Sequence, residues 1–276
     1  GGTTVFSYDS LSNQSGILSS MSVIEHDGLY YWIGLGRFMV FNGLVAELPN
    51  AMNLNFFFDN LNWPYRNKTF AFKVPKYGEI WWCFPKAPST EPNWAVIYNI
   101  TEKAWYDTEL PNGGRSAAEN PASYRFPLMA GTEADVDTGY YRLWQHEVGT
   151  DEVSGSPLVS KAVRSYFTTH ELSLLGSDQA QSRGLSVATV EPDFIQSGSL
   201  TMTLSGRANA RAADYEATPL TIVETPTTPD EQVINFKFSQ RMVRFTVESN
   251  VAGGDYQAGK SMAHVQPSDE RILGKV

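Results

Sequence analysis

Glu47-Leu48-Pro49-Asn50, in the run VAELPNAM, returns as Glu109-Leu110-Pro111-Asn112 in the run DTELPNGG. What precedes each copy gives the echo its meaning. The first follows G-L-Y-Y-W (residues 28–32) and F-N-G (41–43); the second follows G-E-I-W-W (78–82) and Y-N-I (98–100). Glycine, aromatic strand, aromatic-Asn turn and E-L-P-N recur in that order, as expected of a repeated supersecondary unit. From glycine to Asn the first run takes 22 steps and the second 34, and the extra 12 fall around the insert P-K-A-P-S-T-E-P-N at 85–93. Insertions of that kind belong in loops. A third, degraded copy is expected from Gly139-Tyr140-Tyr141 through Leu143-Trp144. In each full copy the motif marks the end of a unit: Leu turns into a core, Pro fixes φ and withholds a donor, and Asn favours the turn out. The starts are 50 and then 61 residues apart, near or above propeller-blade spacing and far above that of helical solenoids.

Composition points the same way. With 13% aromatic and only 18% charged residues, the chain is rich in strand formers and poor in the charged residues that helices place in water. No window sustains an apolar helical period with caps. Alternation is visible instead at Leu200, Met202 and Leu204, at Ile234, Phe236 and Phe238, and at Val243, Phe245 and Val247, predicting half-buried antiparallel strands. All seven Trp lie at or before Trp144, and downstream the strands become Thr, Val, Leu and Phe alternations between Gly, Ser and Thr-Pro clusters. The expected fold is therefore all-β: a propeller-like aromatic-rich domain over 1–150, then an antiparallel β-sandwich over 151–276, with the boundary between 151 and 184. Two or three blades cannot close a propeller. The missing ones are expected from an earlier part of the chain, which starts without Met, or from another chain.

The residues that could carry chemistry are scattered. His26, His146, His170 and His264 form no pair at metal-ligand spacing, and no nucleophile elbow, zinc-protease, Walker or dinucleotide motif occurs. Gly34-Leu35-Gly36 is expected to be a hairpin turn, its two glycines supplying positive φ. Glu133, Asp135 and Asp137 place carboxylates at alternate positions, as a calcium loop does, but the glycine comes one residue late and no later Glu closes the cage. A solvated hairpin tip is the favoured reading, and no cofactor is expected. Cys83, the single cysteine, sits in I-W-W-C-F and reads as a small buried hydrophobe. No run approaches a membrane span or a signal peptide. The tryptophans could stack on sugars, with Asp59 and Glu79 as a glycosidase's carboxylate pair, although packing within blades is the preferred account. Adjacent Trp81 and Trp82 must face opposite ways; one joins a core and the other meets a neighbouring blade, a partner or a ligand. Net charge of −9 repels phosphate on average and disfavours nucleic-acid recognition.

Taken together, G-x-Y-Y-W-x-G-x-G-x-F-x-V-F-N-G (28–43), E-I-W-W-x-F-P (79–85) and V-I-Y-N-I-x-E-x-x-W (96–105) resemble the propeller segment of structural proteins in tailed-phage virions. H-E-V-G-T-D (146–151), V-E-P-D-F (190–194), L-T-M-T-L-S-G-R (200–207), Q-R-M-V-R-F-T-V-E-S (240–249) and Y-Q-A-G-K (256–260) resemble the later part of the same proteins, in the same order. The resemblance implies a tail component of the nozzle or tail-tube type: a homo-oligomeric ring, typically sixfold, below portal and adaptor, lining the DNA exit channel. Tail fibres are further possible neighbours. The family's role is assembly, so no catalytic residue is implied, and neither membrane nor sequence-specific nucleic-acid binding is expected. An acidic channel suits a conduit that must not grip DNA. Ring contacts are heterologous, and alternation nominates Trp81, Trp82, Arg241, Arg244 and Glu248 as interface candidates. The alternative is a glycan-binding or glycoside-cleaving propeller.

Overall fold

The structure, a computed structural model, describes residues 15–121, 124–155, 158–174 and 183–271. It is all-β, built from antiparallel sheets. By internal contacts it divides into two units, residues 1–148 with 154–157, and residues 149–153 with 158–276.

In the first unit, β1 (Ile24–His26), β2 (Leu29–Ile33), β3 (Phe38–Phe41) and β4 (Val45–Leu48) form a four-stranded meander. A short helix α1 (Leu54–Asn60) leads to β5 (Phe70–Val74), β6 (Glu79–Phe84), β7 (Trp94–Asn99) and β8 (Ala104–Glu109), a second meander of the same order. These are the form of propeller blades. β9 (Arg115–Glu119), β10 (Leu128–Ala134) and β11 (Tyr141–Gln145) make a third sheet of three strands. The repeat is now spatial: Gly28 and Gly78, both at positive φ, turn the first strand into the aromatic second one, and each ELPN closes the fourth strand. The 85–93 insert is the loop between β6 and β7.

Two apolar layers bind these sheets in series. Tyr31, Ile33, Phe38 and Leu48 of the first sheet meet Ile80, Trp82, Phe84, Val96, Tyr98 and Trp105 of the second. The second sheet's other face, with Phe70, Phe72, Trp81, Cys83 and Ile97, packs against Leu110 and Met129 beside the third. β6 is therefore buried along its whole length. This corrects the expectation that Trp81 or Trp82 could be an exposed interface residue: Trp82 is 0% and Trp81 6% exposed, because their strand lies between two sheets. Trp81 meets the adjacent blade.

Three local expectations also change. α1 was not foreseen; with seven residues and no side-chain N-cap it has no sequence signature, and it is held by Phe57, fully buried against Phe38 and Phe84 with ring centroids 5.4 and 4.6 Å away. In the Gly34–Gly36 turn only Gly36 has positive φ, while Gly34 donates its N–H to the Arg37 carbonyl. Gly139, at positive φ like Gly28 and Gly78, turns β10 into β11, but here a further strand precedes that hairpin, so the sheet starts at Arg115, in an Ala-rich strand without a strand-like sequence.

In the second unit β12 (Asp151–Ser154) pairs with β13 (Val159–Ala162). β14 (Ser165–Thr168), β15 (Arg183–Glu191), β16 (Phe194–Ser197), β17 (Leu200–Arg207), β18 (Tyr215–Glu216), β19 (Leu220–Ile222), β20 (Ile234–Gln240), β21 (Met242–Ser249), β22 (Asp255–Ala258) and β23 (Met262–Arg271) follow. One sheet runs β14-β21-β17-β18, with β19 also on β17; the other runs β20-β15-β23; β16 and β22 form a separate ribbon. The two sheets close on Leu200, Met202 and Leu204, Val243, Phe245 and Val247, Ile234, Phe236 and Phe238, and Leu185, Val187 and Val190. Every alternating position foreseen for these strands is in that core.

Candidate functional site

The most unusual polar centre lies where the second blade meets the third sheet. Arg115, the first residue of β9, is 2% exposed. Its NH1 group donates to the carbonyls of Pro111 (2.7 Å) and Gly114 (2.8 Å), and its Nε to His146 Nε2 (3.0 Å). Burial lowers the Arg115 pKa to about 10. Burial, and then the Arg115 charge, push His146 down to about 3, so His146 is neutral and accepts with Nε2. The guanidinium carbon also lies 5.0 Å from the Trp144 ring centroid. Arg115 thus ties the end of the second ELPN to the strand that follows. No sequence signal marked it, since a lone Arg in R-S-A-A-E reads as a wet residue.

Beside Trp144 is a cavity of about 210 Å³ lined by Asn112, Glu133, Asp135, Arg142, Trp144 and Gly155, among others. Two of the calcium candidates, Glu133 and Asp135, line it, and Asp135 is already bonded. Asp135 Oδ1 accepts the backbone N–H of Asp137 (3.0 Å) and of Thr138 (2.9 Å) and the Thr138 hydroxyl (3.0 Å). Its Oδ2 pairs with Arg142, whose NH1 donates to the Gly155 carbonyl at 3.1 Å. Those donors, the Thr138 amide first, hold the Asp135 pKa at about 2. Among the described residues no group of three His, Cys, Asp or Glu side chains could hold a metal ion. The hairpin tip favoured from the sequence describes this geometry: Asp135 closes the turn between β10 and β11 through Asp137, Thr138 and Arg142.

Glu79 is also committed. Its Oε2 accepts from Trp81 Nε1 at 2.9 Å and its Oε1 from the Tyr106 hydroxyl. Tyr106 is raised in pKa by burial and then by that bond, and Glu147 by burial and then by the Glu79 charge. Asp59 does not join them. It lies at the end of α1, where the Asn60 carbonyl accepts from Ala87 N, beyond the far end of β6 from Glu79. β6 alone spans about 16 Å, well past the roughly 5–10 Å a glycosidase pair requires. The two carboxylates are not a pair.

The remaining interface candidates lie on the sandwich. Arg244 and Glu248 alternate onto the wet face of β21, and Arg241 sits in the turn before it. Arg164 grips Glu248 through two bonds (2.9 and 2.7 Å), which lowers the Glu248 pKa, and Arg244 pairs with Asp214. Arg207 pairs with Glu171 at 2.8 Å. His264 faces Glu191 at 2.6 Å, and among the described residues no two histidines share a hydrogen bond or ion pair. Cys83 is fully buried, and burial raises its thiol pKa. No helix among the described residues is long and apolar enough to cross a membrane. Compared with known proteins, the chain matches no family model and no curated sequence.

Proposed function

We propose that this chain is an assembly subunit of a phage tail, a member of a nozzle or tail-tube ring around a DNA exit channel, with copies of itself and adaptor and fibre proteins of the virion as neighbours. The observation that carries the proposal is the open series of blade sheets: three stack face to face in chain order, and the third keeps an apolar outer face in water. A protein built to act alone as a propeller would bury that face. The charge supports a conduit: at −9 overall, and with Arg164, Arg207 and Arg244 each held by a carboxylate of the same chain, the surface offers DNA little counterion-release affinity. The deciding experiment is the mass in solution and in purified particles. A mass several times 30.7 kDa, or incorporation into virions, supports the ring; a stable monomer that binds sugar sinks it.

One observation favours the glycan reading enough to locate it. Trp144 lines the cavity, whereas Trp81, Trp82 and Trp105 are buried in cores. Saturable binding on a glycan array that disappears in Trp144→Ala is what that reading requires.

A further inference from the structure

The cavity beside Trp144 is built by two neighbouring features, the turn after the second E-L-P-N and the β10–β11 hairpin. The Thr132 hydroxyl donates to the Gly113 carbonyl at 2.8 Å and fastens one to the other. Next along β10, Glu133 lies against Gly113, which has positive φ and where a Cβ would collide with the Glu133 carboxyl end. The first E-L-P-N is followed by Ala51, so this seat is peculiar to the second copy and is no part of the repeat. On β11 the Trp144 indole lies on Gly131, where a Cβ would stand 2.8 Å from Nε1. Two glycines thus leave room for the two side chains that give the cavity an acidic and an apolar wall.

What those walls leave unspent selects the ligand. Asp135 is committed to its own turn and to Arg142. Arg142 spends Nη1 on the Gly155 carbonyl and Nη2 on Asp135, which leaves its Nε–H. Among the described residues no hydrogen bond or ion pair engages the Glu133 carboxylate or the Trp144 indole N–H. Acceptors and donors therefore stand side by side next to an indole. An anion would meet the charges of Glu133 and Asp135. A cation would meet Arg142 and Arg115, whose guanidinium carbons already lie 5.6 and 5.0 Å from the Trp144 ring centroid. A neutral ligand whose hydroxyls each donate and accept suits both sets. At about 210 Å³ the cavity is smaller than the roughly 300–1,000 Å³ of a drug-sized pocket, which leaves room for one ring.

We infer that this cavity binds a single neutral pyranose, an uncharged hexose or N-acetylhexosamine residue, with its C–H face against Trp144 and its hydroxyls on Glu133 and Arg142. The inference rests on the glycan reading and deepens it, adding the size, charge class and contacts of the sugar. It holds for a monomer and for a ring alike. Glu133 sets the specificity: its carboxylate accepts from hydroxyls and repels a carboxylated sugar.

Saturation-transfer NMR on the full chain would use the methyl glycosides of glucose, galactose and mannose and N-acetylglucosamine, with glucuronate and glucosamine as charged controls and a glycan array alongside. At least one neutral sugar is expected to bind saturably, and both charged sugars at least about tenfold more weakly. Glu133→Gln, at an exposed position, should weaken the neutral sugar about fivefold and narrow its advantage over glucuronate. Trp144→Leu should abolish binding, with melting curves to verify that both variants fold; if it does not fold, Glu133→Gln decides alone. Glucuronate bound as tightly as the neutral sugars, or a folded variant that binds like the parent, overturns this site while the glycan reading stands. Silence of every monosaccharide overturns the single-ring inference, and a blank array as well overturns the glycan reading with it.

Discussion

Burial on both sides makes β6 the most sensitive strand at the level of single residues. Trp82→Ala removes a fully buried indole and orphans the Ser22 carbonyl, and should destabilise the first unit by about 3–5 kcal/mol in denaturant melts. Cys83 should resist a thiol reagent in the native state and react once unfolded; rapid native labelling would contradict its burial. His146 links stability to pH. Its folded pKa, about 3, lies below the ordinary 6.5, so the unfolded chain takes up the proton first. Its contribution is full above about pH 6.5 and is lost as pH falls toward 3. His146→Gln keeps an acceptor for Arg115 and cannot titrate, so its melting temperature should decline less over that window. Glu147 acts with the opposite sign: its pKa is raised, so its contribution is present at acid pH and lost as pH rises. The sequence showed Cys83 as buried because its neighbours are aromatic. It could not show Arg115 or His146, since an ionisable residue in a loop looks the same whether it is wet or folded into a neutral pocket.

Among elements, the repeated ELPN was the most legible feature, and the structure gives it a mechanism. In both copies the Pro carbonyl receives a side-chain donor: Pro49 accepts from the distant Trp105 Nε1 at 2.8 Å, and Pro111 from Arg115, four residues on. Leu48 and Leu110 are both buried, as the motif implied. Asn50 accepts from Met52 N and Asn53 N through Oδ1 and donates to Asn53 Oδ1 at 2.7 Å. Asn50→Ala should therefore cost about 1–3 kcal/mol, as a buried turn loses its side-chain bonds. Gly114, at φ +100, has no room for a Cβ against the Pro92 carbonyl, so Gly114→Ala should destabilise by at least about 1 kcal/mol. An unchanged melt for Asn50→Ala would separate the motif from its role as a stop. The sandwich strands were legible for a simpler reason: one face of each is wet, so their period of two survives in the sequence. β6 lies between two sheets and has no period to read, and the first strand of the third sheet is centred on Ala117 and Ala118, which carry no strand preference.

For the whole molecule, the chain path between the two units sets how it can be divided. Residues 149–153 belong by contact to the second unit while 154–157 belong to the first. Asp151 Oδ1 accepts from Gly253 N at 2.7 Å and its Oδ2 from the Ser160 hydroxyl at 3.1 Å, whereas the Gly155 carbonyl accepts from Arg142. A cut at either 149 or 158 therefore strips contacts from one side. Fragment 149–276 retains the whole sandwich core and the Asp151 bonds, and is expected to melt cooperatively on its own with a β-type circular dichroism spectrum. Fragment 158–276 lacks Asp151 and the partner strand of β13, and should melt at a lower temperature. Equal melting of the two would show that the Asp151 contacts contribute nothing. Failure of both to fold would mean that the sandwich, although its core is complete, depends on the blades for its stability.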